Sequence, residues 1–474
     1  MKFSGYTRIV AVCLLALSII ISMAACSDKG EQPPTSDDSE VYIVKTELID
    51  GELIVTYSDG RVENIGPISG ESDSDSLSFY PLPDGTYGIT AGNTIYLEGI
   101  AIPEKYRGRA VSTILNDAFK GNENLKTVTI PESIVSIGAS AFSGCKNLEE
   151  ADLPEGLLNV GASAFNGCEK LTELRVPDTV ESIGAQAFYM CAGLNSITLP
   201  VKPIAIGGSA FYGTALYDNT ENWTEGVLYI GEHLIDAKAV STQEYGIKEN
   251  TVTVANYAFA DCDTLKAIAF PDSLSVIGGS AFVGCDALET ASFLNNATLN
   301  SIGESAFAGC VALREISLPD TVAAIEKDTF SGCTALTDVH LNADSSQLVK
   351  IGERSFSDCT SLRGFLIPNS VEAIEKEAFS GCTSLTEAVI AADNSKLSLI
   401  GDEAFMGCEK LARITLPLSL TEIGKNAFSE CTALSEISYP ATEKEWKKNV
   451  QKGSDWNKNT PEKNMVFKEE VSED

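Results

Sequence analysis

Apolar residues recur along this chain in a fixed order. Between Leu148 and Cys168 they fall at Leu148, Ala151, Leu153, Leu157, Val160, Ala164, Phe165 and Cys168, with Pro154 after the first cluster and Gly161 and Gly167 between the later ones. The next stretch repeats the order at Leu171, Leu174, Val176, Pro177, Val180, Ile183, Gly184, Ala187, Phe188 and Cys191. Phenylalanine marks the period: it stands at 119, 142, 165, 188 and 211 and again from 259 to 428, in steps of 23, 25 or 26 residues with one gap of 48. A fixed period in this range is the mark of a solenoid, in which each repeat is one turn of a stack.

Within one unit, Leu148 to Leu153 reads as a short strand with its apolar side chains turned inward, and Pro154, which has no N–H to donate, stops the ladder. Gly161 is expected to relax the backbone at the next corner, Ala164 and Phe165 bring an aromatic ring back under the strand, and Gly167 allows another bend. Glu326 and Glu375 stand where other units have the first glycine, so positive φ is not required in those two coils. One coil buries too little apolar surface to offset the entropy of ordering it. Neighbouring coils must therefore supply hydrogen bonds and cover each other, and the two ends need caps.

The repeated pattern Leu-x-x-Ile-x-Leu-Pro-x-x-Val-x-x-Ile-Gly-x-x-Ala-Phe-x-Gly-Cys resembles the BspA-like leucine-rich repeats of bacterial surface proteins, over roughly residues 77 to 445. The resemblance implies an α/β repeat solenoid, a right-handed leucine-rich-repeat array. Trp223 to Lys238, with Gly226-Val227-Leu228-Tyr229-Ile230-Gly231 and His233-Leu234-Ile235, is similar to the degenerate double-length coil of such proteins; it fills the 48-residue gap and brings the count to about fourteen coils.

The ends read differently. Lys2 and Arg8 precede an uncharged apolar run, Ile9 to Ile21, too short for the ~20 residues of a bilayer span, so residues 1–25 are expected to be a signal peptide. Ser22, Met23, Ala24, Ala25 and Cys26 resemble the lipobox of bacterial lipoproteins, which implies lipidation of Cys26, although Met23 replaces the usual leucine. Residues 26–40, with Pro33, Pro34 and several acids, read as a tether. Residues 41–68 read as a small β-meander with Asp50-Gly51 and Asp59-Gly60 turns, 69–76 as a linker, 77–440 as the solenoid and 441–474 as a C-terminal cap and tail. In that cap Thr442 and Glu445 form a capping-box pattern, and Trp446 and Val450 share one helical face. Lys444, Lys447, Lys448 and Lys452 read as its solvated side.

Charge and inventory narrow the function. Thirty-four Lys and Arg against 67 Asp and Glu give a net charge of −33, or −35 without Lys2 and Arg8, which argues against nucleic acid as a partner. The only histidines are His233 and His340, no Cys-x-x-Cys pair or phosphate-cradling glycine loop occurs, and Gly138-Ala139-Ser140-Ala141-Phe142 lacks the last glycine of a nucleophile elbow. No catalytic residue, metal ligand or cofactor is therefore assigned, and the protein is not expected to be an enzyme. The eleven cysteines from Cys145 to Cys431 share one repeat position and read as a column of small buried thiols. Three coils lengthen after the strand, at Asn295-Asn296-Ala297, Asn342-Ala343-Asp344 and Ala392-Asp393-Asn394, which places Asn296, Asp344 and Asp393 on a candidate loop edge.

What remains is a surface. The residue between the two core positions of each strand forms a stripe that includes Asp152, Arg175, Ser317, His340, Leu366, Val389 and Thr415, with larger and apolar groups at His340, Leu366 and Val389. A lipid-anchored surface protein that binds an extracellular protein through this stripe is the leading expectation, and the family resemblance adds adhesion to host matrix proteins or other cells. Glycan binding through Trp223, Tyr212, Tyr217 and Tyr229 is the alternative, and a passive envelope scaffold a third.

Overall fold

A computed structural model describes residues 43–49, 52–57, 62–67, 77–293, 298–390, 394–461 and 465–468. The leader, Cys26, the tether and the linker lie outside the described residues, as do Asn296 and Asp393. Ile43–Ile49, Glu52–Tyr57 and Val62–Pro67 form a three-stranded antiparallel meander. The repeats form a solenoid of about fifteen turns. The chain divides into two compact units, residues 1–179 with 187–196, and residues 180–186 with 197–474.

In the first unit, Gly99–Ala101, Thr127–Thr129 and Glu150–Asp152 lie parallel and in register. Each has one inward residue flanked by two exposed ones: Ala151 is buried between Glu150 and Asp152. A second parallel ladder, not foreseen from the sequence, runs through Arg109–Ile114, Ser136–Ile137 and Asn159–Val160. It forms because Ile137 and Val160 are inward-facing β-branched residues in the limb after the proline turn, and two residues suffice to pair with the next coil. The second unit repeats this arrangement. Its five-stranded ladders begin at Glu244–Gly246 and Gly364–Ile367, and its short-strand ladders pass through Val276–Ile277 and Ala373–Ile374. Between strands the chain returns in tight turns, as over residues 139–144, rather than in helices.

Identical core positions fall on one another. The phenylalanine rings stack face to face, with centroids 5.1, 5.1 and 5.5 Å apart from Phe119 to Phe188 in the first unit. In the second the column runs from Phe259 to Phe428 and ends on Trp456, which meets Phe428 edge-on at 6.2 Å. The turn that carries Trp456 has no phenylalanine, so the period does not reveal it. The predicted cap is the helix Glu443–Asn449 with a complete capping box between Thr442 and Glu445. Trp446 and Val450 are buried as expected. Of its lysines, Lys447 pairs with Glu443 at 2.6 Å, and Lys452 donates to the Val450 carbonyl and lies over the Trp446 ring.

The corner glycines have a different role from the one expected. Gly138, Gly161, Gly303 and Gly424 do not have positive φ. Instead, a Cβ on Gly161 would come within 2.5 Å of the Gly138 carbonyl carbon, and one on Gly303 within 2.5 Å of the Gly279 nitrogen. The glycine is needed because two coils touch backbone to backbone. Positive φ falls two residues later, on side chains such as Ser140, Ser163, Ser280 and Ser305, and on the last glycine of the unit, as at Gly144 and Gly167.

The eleven repeat thiols are all free and buried. Each of these thiols ties its coil to the one before it: Cys145 Sγ donates to the Phe119 carbonyl at 3.1 Å and Cys333 Sγ to the Phe307 carbonyl at 3.1 Å. Burial pushes the Cys145, Cys262 and Cys333 thiols up to about 12, so almost no thiolate exists at neutral pH. The eleven should be silent toward an aromatic disulfide reagent in the native protein and react together on denaturation. Rapid native labelling of any of them, read by peptide mass spectrometry, would contradict the packing.

Candidate functional site

Each strand exposes two positions, so the strand face carries two parallel columns of side chains. The sequence reading had only the second, the residue between the two core positions. The first column precedes the inner core residue and follows from the period of two along a strand. It is the more charged of the two. In the second unit it runs Thr290, Glu315, Asp338 in one sheet and Gly364, Glu387, Arg413, Glu436 in the next, each in register with its neighbour.

The named residues separate into groups. Asp152 and Arg175 are exposed in the first unit, where Arg175 is ion-paired to Glu155. In the second, Leu366 and Val389 are direct partners on adjacent strands, with Leu366 half-buried and Val389 41% exposed. His340 lies in the preceding sheet, opposite Ser317, with its Nε2 3.7 Å from a Glu315 oxygen. It therefore lies beside the acidic pair Glu315 and Asp338; in the next sheet Leu366 and Val389 are the aliphatic side chains in direct register, and Val466 is exposed at the far end of the same column.

Beside that pair is a hollow of about 370 Å³ lined by Thr386, Glu387, Ala412, Arg413, Ser435 and Glu436. Arg413 stands in register between Glu387 and Glu436, and among the described residues its guanidinium has no ion pair with either. An aliphatic pair flanked by two carboxylates and an uncommitted guanidinium is equipped for a polypeptide surface, with burial to supply affinity and charge to fix orientation. Asp344, from the proposed loop edge, receives a hydrogen bond from Asn369 Nδ2 at 3.2 Å and thus helps to hold one coil on the next.

The aromatic group proposed for glycans is divided. Tyr212, Tyr217 and Trp223 pack in sequence, with centroids 5.1 Å apart at each step. Tyr229 is elsewhere: its hydroxyl is 3.1 Å from that of Tyr245, and Lys248 lies over its ring.

His233 is fully buried in the irregular coil, with Nε2 2.7 Å from the Pro200 carbonyl and Nδ1 without a partner. Burial holds its pKa below the usual histidine value. Below about pH 6.5 the unfolded chain takes up a proton that the folded site resists, so stability falls as pH drops through that value and levels off once the folded site also protonates. His233→Gln keeps an N–H for Pro200 and cannot titrate. Its melting temperature should fall less than that of the natural protein between pH 7.5 and 5.5; equal falls would contradict this assignment. Among the described residues, no three of His, Cys, Asp and Glu converge on a site for a metal ion. No helix of the described residues is long and apolar enough to cross a membrane.

A stack of parallel strands joined by tight turns around a phenylalanine column defines a leucine-rich repeat solenoid. The sequence matches the BspA type Leucine rich repeat region (6 copies) over residues 112–239, 237–348 and 343–458, and the chain belongs to that family. No curated protein matches it at a significant level. Among solved structures it is similar to a leucine-rich repeat protein from Bacteroides ovatus, at 24% identity over 84% of this chain and 100% of that one with a TM-score of 0.34. A leucine rich cell surface protein from Faecalibacterium prausnitzii matches at 25% identity over 81% and 98% of the two chains, with a TM-score of 0.31. A leucine-rich repeat protein from Eubacterium ventriosum matches at 22% identity over 70% and 93%, with a TM-score of 0.37.

Proposed function

We propose that this chain is an exported, lipid-anchored protein of the bacterial cell surface that binds another protein through the strand face of its second unit, in adhesion to host matrix or to other cells. The observation that carries the reading is the Leu366–Val389 pair: two aliphatic side chains directly in register on adjacent strands, next to the hollow at Arg413. Export and anchoring rest on the leader, with Lys2 and Arg8 before the apolar run and Cys26 after it. A binding role also agrees with the repeat architecture, which presents an extended surface and needs no reactive group. Asp152 and Arg175 on the first unit's strand face, and Asp344 at the lengthened turn, are secondary contact positions.

The test is capture from a mucosal or matrix extract by the fragment lacking the first 26 residues, compared with the same fragment carrying Leu366→Glu and Val389→Glu. A discrete extracellular protein should be retained by the first and lost by the second. Equal retention by both would remove the patch from the binding site, and recovery of cell-wall material alone would favour a passive envelope scaffold.

A further inference from the structure

The repeat keeps its phenylalanines inside, yet two tyrosines of the second unit stand out: Tyr212 is 44% and Tyr257 49% exposed. Tyr257 occupies the corner position held by Ser209, Ser280 and Ser305 in other coils, and it has a φ of 61° there. A bulky side chain seldom adopts that left-handed backbone. The ring is given room by Gly208, where the first unit's coils have Ala139 and Ala162; a Cβ at Gly208 would come within 2.6 Å of Tyr257 Cδ2. The tyrosine in this corner and the glycine facing it thus combine to hold one exposed aromatic ring.

Between the rings is a hollow bordered by Ser209, Asp236, Lys238 and Asn256, with Tyr217 also in its wall. It measures about 10 Å³, room for one oxygen-sized group. Asp236 is 8% exposed; its Oδ2 accepts from the Tyr217 hydroxyl at 3.0 Å and its Oδ1 from the Lys238 N–H at 2.9 Å. A carboxylate has about four acceptor positions, more than these bonds fill. The wall is fixed, because Trp223 packs edge-on against Tyr217 and donates its Nε1–H to the Tyr217 carbonyl at 2.7 Å.

We infer that this is a carbohydrate site, in which an uncharged pyranose lies against Tyr212 and Tyr257 and sends one hydroxyl into the hollow to Asp236. The C–H groups on one face of a sugar ring are weakly positive and pack on the negative face of an aromatic ring, while a sugar hydroxyl both fits the hollow and donates to the carboxylate. A proline-rich peptide also docks on exposed aromatics but brings no such donor. An alkylammonium head is too large for the hollow and meets Lys238 at its edge. A sialylated or sulfated glycan would bring its charge to a buried carboxylate on a chain of net charge −33.

The site is tested with the full chain on an array of neutral, sialylated and sulfated glycans and proline-rich peptides, beside Tyr212→Ser and Tyr257→Ser. The second variant restores the repeat's own residue at that corner, and thermal melts verify that both variants fold. The expected result is binding to neutral glycans that weakens at least about tenfold in each variant, with the strongest array sugar, added free, quenching the intrinsic fluorescence of the natural protein. No neutral-glycan signal, a signal confined to anionic glycans or to peptides, or a neutral-glycan signal unchanged in either variant would overturn the assignment.

Discussion

Phe307→Ala should lower the stability of the second unit by about 3–5 kcal/mol, the range for removing a buried phenylalanine from a core that cannot collapse around the gap. Phe307 is fully buried, with Phe282 on one side at 5.1 Å and Phe330 on the other at 5.5 Å, and its carbonyl accepts the Cys333 thiol. The loss falls on both interfaces of the coil. Because each coil is held only by its neighbours, a gap in mid-column also weakens the coupling between the repeats before and after it. A single denaturant transition should become broader or split in two. Thr290→Ala, at an exposed position of the strand Thr290–Phe293, should change stability by less than about 0.5 kcal/mol. Equal effects of the two substitutions would mean that the phenylalanine column does not bear the stack.

The second large effect is expected at a corner. Gly303→Ala should cost about 1–3 kcal/mol, typical of overpacking, because the new methyl group would sit 2.5 Å from the Gly279 nitrogen and 2.8 Å from its Cα. Backbone cannot swing aside as a side chain does. Ser305→Gly, two residues on, should be within about 1 kcal/mol of neutral, since relief of the left-handed φ of 55° offsets the added freedom of the unfolded glycine. The Ser305→Gly outcome separates the two roles: a loss well above about 1 kcal/mol there would contradict relief of a left-handed φ at that residue. At the two coils that carry glutamate instead, Glu326 accepts from Lys350 Nζ at 3.0 Å and Glu375 from the Glu353 N–H at 3.1 Å, each a contact to the following or preceding coil.

These two positions also show what the sequence could and could not reveal. Phenylalanine at a fixed step determines which side chains stack, so the core, the thiol column and the need for caps are legible without coordinates. Thr442 and Glu445 declare a helix because the capping box is a local pattern. The corner glycine's role is hidden in the sequence, because one chain segment gives no sign of the backbone that will lie against it. The short strands such as Ser136–Ile137 were missed because two residues are too few for an alternation to appear. On the strand face, the stripe with Leu366 and Val389 was legible, but the charged column through Glu387, Arg413 and Glu436 was overlooked, although the period of two implies it. Tyr229 was grouped with Trp223 by closeness in sequence; strand alternation in the hairpin Val227–Ile230 and His233–Asp236 instead leaves it with Tyr245. Tyr257 carries no signal in the sequence, because its peculiarity is a backbone angle.

Every functional assignment above depends on coils lying directly on one another in the stated register, so that Leu366 faces Val389 while Thr415 is two ladders beyond Leu366. Adjacent parallel strands lie about 4.8 Å apart, which a short thiol-bridging reagent such as dibromobimane spans, becoming fluorescent only when both thiols are joined. Leu366→Cys with Val389→Cys should give rapid native fluorescence, with the two peptides linked in the mass spectrum. Leu366→Cys with Thr415→Cys should give little, because the two positions are two strand spacings apart, and the buried repeat thiols add no background. Equal bridging of the two pairs, or preference for the second, would contradict the stacked register.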